Sequence, residues 1–127
     1  MTQHEFSPQE NTQEIWSAAL NTLQNTEDGQ QPYLLGQKIT TVPPNSRNPE
    51  QIILRHNYDG PWRDVRRTLA LTALGPVSYQ YSVFYEGSVD DSENIDESYG
   101  ADAPETLEWL SDVANDARRQ KTQNDSH

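Results

Sequence analysis

The chain contains no cysteine. That excludes disulfides, thiolate metal sites and a cysteine nucleophile, and it fits a reducing compartment. Apolar residues are scarce as well, at 32% against the roughly 45–50% of ordinary globular chains. No apolar run approaches the ~20 residues that a membrane-spanning helix needs. The first residues lack the basic start and apolar centre of a signal peptide. The expectation is a soluble, cytoplasmic protein without membrane association. At 127 residues, the chain forms one small domain, spanning 1–127. Its polar ends, 1–10 and 120–127, are expected to be disordered tails.

The most informative absence is of positive charge. No Lys or Arg occurs between Thr68 and Ala117, whereas Glu86 to Asp116 holds eleven carboxylates. Arg55, Arg63, Arg66 and Arg67 precede this block, and Arg118, Arg119 and Lys121 follow it. A net charge of −11 repels nucleic acid and anionic lipid. Like charge gathered in one block is tolerated when it is solvated or when a positive partner covers it. Direct nucleic-acid binding is therefore excluded as an expectation, and a basic protein surface is favoured as the partner.

What is present organises as α+β. Ser7-Pro8-Gln9-Glu10 has the form of a capping box with Pro at the first helical position, and Ile15, Trp16, Ala19, Leu20 and Leu23 then recur on one helical face. This helix is expected to end near Asn25. Residues 33–35 and 38–42 form a short β-branched stretch, which Pro43, Pro44 and Pro49 interrupt. Residues 51–58 alternate as a strand, with Ile52, Leu54, His56 and Tyr58 on one side. Residues 62–74 fit either strand or helix. A strand is preferred because the alternating segment 77–86 needs a neighbour, and Gly75-Pro76 can turn a hairpin between them. Residues 88–101 are acidic and poor in apolar side chains, and read as a mobile loop. A last helix starts around Asp102-Ala103-Pro104-Glu105, with Leu107, Leu110, Val113, Ala114 and Ala117 as its apolar stripe. The expected fold is an N-terminal helix, a small antiparallel meander of 3–4 strands, an acidic loop and a C-terminal helix packed on the sheet.

The last helix carries the sharpest candidate site. At ~100° per residue, Glu105, Glu108, Asp112 and Asp116 form a stripe, with Trp109 at its border. A partly exposed Trp beside carboxylates suits a partner-binding hot spot, able to stack on an Arg of the partner. Asp90, Asp91 and Glu93 would form the rim. The bland alternative is an amphipathic helix with an acidic wet face. Asp90, Ser92, Asn94 and Asp96 alternate as in a calcium loop, but Ile95 and Ala101 stand where an EF-hand needs Gly and Glu. One internal histidine, His56, is too few for a zinc site. No phosphate-binding glycine loop or nucleophile elbow occurs. Arg63, Arg66 and Arg67 are free to pair with carboxylates of the last helix or with an acidic partner patch.

These features favour a non-enzymatic acidic module, monomeric or homodimeric and without cofactor or metal. It would mask a basic surface of a partner, in the manner of an inhibitor, an immunity protein or a nucleic-acid mimic. The alternative is a homodimeric chaperone or adaptor holding an extended peptide on an exposed apolar sheet face bearing Tyr79 and Tyr81. A small enzyme or ligand-binding domain centred on Arg55, His56 and Tyr58 is the third option.

Overall fold

A computed structural model describes residues 6–85 and 94–125. Helix α1 (Pro8–Gln24) is followed by six strands, β1 (Tyr33–Leu34), β2 (Gln37–Val42), β3 (Gln51–Asp59), β4 (Arg63–Thr72), β5 (Gly75–Tyr85) and β6 (Ile95–Gly100). Helix α2 (Pro104–Asp125) closes the chain. The strands form one antiparallel meander in the order β1-β2-β3-β4-β5-β6. The architecture is thus the expected α+β arrangement, with six strands in place of three or four.

The start of α1 follows from its cap. The Ser7 hydroxyl accepts from the Glu10 amide, and the Glu10 carboxylate accepts from the Ser7 amide, each at 3.1 Å. Two otherwise unpaired helix-end donors are satisfied in this way. Ile15 and Ala19 are fully buried, with Trp16, Leu20 and Leu23 packed at the margin. The helices occupy part of both stretches expected as tails, since α1 begins at Pro8 and α2 continues to Asp125.

Three strand assignments depart from the sequence expectation. Residues 33–42 form a hairpin, in which Leu34 pairs with Gln37 around Leu35-Gly36. Leu35 has φ 53° and Gly36 φ 80°. Positive φ at both central residues is the geometry of the turn that matches strand twist. Leu lacks the usual Asn or Gly signature there, so the turn was not legible. The β4–β5 turn falls at Ala73-Leu74, because Thr72 pairs with Gly75. Pro76 enters β5 opposite Leu71, beside a register shift between Ala70 and Leu71, a position where a strand tolerates Pro. Residues 62–74 resolve as strand over Arg63–Thr72.

The third departure concerns the acidic stretch 88–101, expected as a loop. Residues 95–100 of it are the edge strand β6, paired along β5 from Val83↔Ile95 to Ser78↔Gly100. Its composition is unfavourable for a strand in isolation, but charged side chains are typical of a protected sheet edge. The rest of that stretch before Asn94 lies outside the described residues.

Both helices pack on the same face of the sheet and against each other. The core lies between, built from Ile15, Ala19, Leu34, Ile39, Ile52, Leu54, Leu69, Leu71, Tyr79, Leu110, Val113 and Ala114. Ala19, Ala114 and Ala117 are buried, and such small side chains suit close helix approach. Thr106, fully buried, donates its hydroxyl to the Gly100 carbonyl at 2.7 Å and so ties the start of α2 to the end of β6.

An aromatic cleft rimmed by carboxylates

Strand alternation assembles the candidate site from the covered face of the sheet. Two register rows run beneath α2. The first is Leu54–Leu69–Tyr79–Tyr99, and the second is His56–Arg67–Tyr81–Glu97. Thr106, Leu110 and Val113 anchor α2 over these rows, which leaves Trp109 on the flank of the helix nearest β5 and β6. Its ring stacks on Tyr79 at 6.1 Å between centroids and 24° between planes, and Tyr79 stacks on Tyr99 at 5.8 Å and 18°. Such offset pairs add to what burial alone contributes.

Arg67 completes the aromatic group. Its guanidinium carbon lies 4.5 Å from the Trp109 ring centroid and 5.2 Å from that of Tyr81. Among the described residues it makes no ion pair with the carboxylates of α2. The pairing of Arg67 with α2 carboxylates considered from sequence is thus not seen among the described residues, and its guanidinium lies over the Trp109 ring instead. Arg66, one residue earlier, projects to the opposite side of the sheet and lies over Phe84 at 5.4 Å.

The result is a cleft of ≈250 Å³, lined by Arg67, Tyr79, Tyr81, Glu97, Tyr99, Glu105, Glu108, Trp109 and Asp112. Four carboxylates therefore meet one guanidinium around an aromatic floor. The Trp109 indole nitrogen is buried and has no hydrogen-bond partner among the described residues. Burial raises the Tyr79 phenol pKa, and the nearby Arg67 charge opposes that rise. Tyr99 donates a hydrogen bond to the Glu97 carboxylate, and this bond is the main cause of its pKa being pushed up to about 12.

Of the residues proposed from sequence, Glu105, Glu108, Trp109 and Asp112 come together here. Asp116 does not line the cleft. It pairs with Arg119 one helical turn on, where both side chains are exposed. Asp90, Asp91 and Glu93 lie outside the described residues. Glu97 and Tyr99 were missed because their segment read as loop; the alternation of Ile95, Glu97 and Tyr99 was the available signal. Arg67 was noticed as a charge and missed as a partner for rings.

The other candidates separate. Arg55 projects to the opposite side of β3 from His56 and Tyr58, so these three do not converge on one pocket. Tyr79 on the sheet packs in the core with Leu110, Val113 and Ala114 of α2. No group of His, Cys, Asp or Glu suited to a metal ion occurs among the described residues. No described helix is long and apolar enough to cross a membrane. Comparison with protein family models, with curated proteins and with solved structures finds no match to this chain.

Proposed function

We propose that the protein is a non-enzymatic acidic module that covers a basic surface of a partner protein, and that the cleft beside Trp109 is its contact point. The observation that carries this reading is the convergence of Glu97, Glu105, Glu108 and Asp112 around stacked aromatic rings, with Arg67 the one cation among the cleft's lining residues. Carboxylates and an exposed edge of Trp and Tyr are the surface that an arginine or lysine of a partner fits, by charge-assisted hydrogen bonds and by stacking. Charge of this kind acts mainly on the association rate and on orientation, and is weakened by salt. Inhibitors, immunity proteins and nucleic-acid mimics use such surfaces against basic grooves.

The test is stopped-flow association with a labelled oligoarginine peptide at low and physiological salt. Glu105→Gln/Glu108→Gln/Asp112→Asn is compared with a control, Glu27→Gln/Asp28→Asn/Glu50→Gln, that removes the same charge at exposed positions outside the cleft lining. The cleft variant should associate about tenfold more slowly than the control. Equal rates for the two variants, or a wild-type rate indifferent to salt, would defeat the reading.

A further inference from the structure

The face of the sheet turned away from both helices carries the opposite chemistry. One register row there reads Lys38–Arg55–Thr68–Gln80–Ser98 and the next Asn57–Arg66–Ser82–Asp96. A concavity of ≈260 Å³ opens between them, lined by Arg55, Asn57, Arg66, Thr68, Gln80 and Ser82 and closed at one end by Phe84. In a chain with 20 acidic and 9 basic residues, this concavity has two arginines and no carboxylate in its lining. Apart from Ser82, whose hydroxyl is donated to Asp96, each polar residue of the lining offers a hydrogen-bond donor.

The arrangement of the cations is itself informative. Lys38 is paired directly with Arg55 across neighbouring strands, and like charges at directly opposed positions destabilise a sheet. Arg66 lies on the same face, diagonal to Arg55 across β3 and β4. Neither Arg55 nor Lys38 has an ion-pair partner among the described residues. The carboxylates of this face sit at its margin. Asp96 accepts from the Ser82 hydroxyl at 3.1 Å, and Asp59 and Asp64 are paired at the hairpin end. Phe84 holds the Arg66 guanidinium over its ring, which orients a planar donor fork for a planar acceptor.

We propose that this open face is a second binding surface, a cradle in which Arg55 and Arg66 receive carboxylate side chains from an acidic segment of a partner protein. A bound carboxylate would relieve the repulsion between Lys38, Arg55 and Arg66 and would engage guanidinium forks that match its geometry. An acidic peptide fits better than a nucleic acid, whose duplex brings one charge per ~1.7 Å against a chain of strongly negative total charge. The cradle stands on different residues from the cleft beside Trp109, and its existence does not depend on that site.

The experiment is fluorescence anisotropy of a labelled hexaglutamate peptide against the full chain at low ionic strength, with a single-stranded oligonucleotide as the competing probe. Arg55→Gln/Arg66→Gln should weaken peptide binding about tenfold or more, whereas Glu105→Gln/Glu108→Gln/Asp112→Asn should leave it equal or tighter. Without peptide, Arg55→Gln alone should raise the thermal midpoint by roughly 1–4 °C by removing the opposed pair. The proposal is overturned if wild type fails to bind hexaglutamate, or if both variants bind it equally. Binding of the oligonucleotide in preference to the peptide overturns it as well.

Discussion

On the covered face, the row His56–Arg67–Tyr81–Glu97 runs beneath Trp109. One residue along each strand, the row Arg55–Thr68–Gln80–Ser98 points away from both helices. The same four strands thus present two rings, a guanidinium and a carboxylate on one side, and two hydroxyls, an amide and a guanidinium on the other. Side chains alternate with a period of two, so a single register decides both faces at once. Two arginines that are neighbours in sequence show the consequence. Arg67 is half-buried among rings that also belong to the core margin, while Arg66 is exposed over Phe84. Charge type says little about role here; the parity of the position says most of it.

The covered face depends on α2 being held in place, and the open face does not. The comparison is broken most severely at Leu110, which is fully buried under the helix. Leu110→Ala should cost about 3 kcal/mol by lost burial and an unfilled cavity. Chemical denaturation should read this as a lower midpoint. A cost under about 1 kcal/mol would mean that α2 is not anchored by this contact.

Next in size is the contrast between two tryptophans. Trp109 stacks on Tyr79 and supports Arg67, whereas Trp62 is 79% exposed at the β3–β4 turn. Trp109→Ala should destabilise by about 2 kcal/mol, between the cost for a core aromatic and that for a surface one. Trp62→Ala should stay within about 0.5 kcal/mol. Equal effects on thermal unfolding would show that the stacking of Trp109 on Tyr79 adds nothing to the fold.

Much of this division was readable in the residues. The cap at Ser7, the stripe of α2 and the alternation of β3 and β5 are local patterns, and they emerged as read. What escaped depended on pairing. Residues 95–100 hold Asp, Glu, Ser and Gly, which favour a loop until β5 supplies a partner and Tyr79 a ring for Tyr99 to stack on. The candidate site was read as five residues on one helix, and four of them, Glu105, Glu108, Trp109 and Asp112, line the cleft. Its floor of Tyr79, Tyr81, Tyr99 and Arg67 comes from three strands and needed the register. Asp116 lies outside the cleft lining and pairs with Arg119 one turn on.

A smaller effect separates the two arginines. Arg67→Gln removes a guanidinium shared by Trp109 and Tyr81 in a half-buried setting, and should cost about 1 kcal/mol. Arg66→Gln removes one exposed contact with Phe84 while relieving repulsion with Arg55, so its thermal midpoint should barely move. Intrinsic fluorescence adds a second readout, because only the Arg67 change alters the surroundings of Trp109. If Arg66→Gln destabilises as much as Arg67→Gln, the open face is tied to the fold more closely than its exposure implies.

The smallest effect shows its pH dependence only in alkali. Tyr99 donates to Glu97, and its phenol is held in the protonated form, with a pKa pushed from 10.0 up to about 12. A group whose folded pKa is raised contributes its stabilisation below the unfolded value, and that contribution fades as pH climbs through the folded one. Tyr99 should therefore support the fold fully below pH ~10 and progressively less between ~10 and ~12. The check is the ultraviolet absorbance of phenolate during alkaline titration, taken as the difference between wild type and Tyr99→Phe. The late-titrating phenol should vanish in Tyr99→Phe. In Glu97→Gln, which lacks the charged acceptor, it should return toward the ordinary tyrosine range. If Glu97→Gln leaves the late titration in place, the edge strand does not hold Glu97 against Tyr99, and the rim of the cleft loses the carboxylate that β6 supplies.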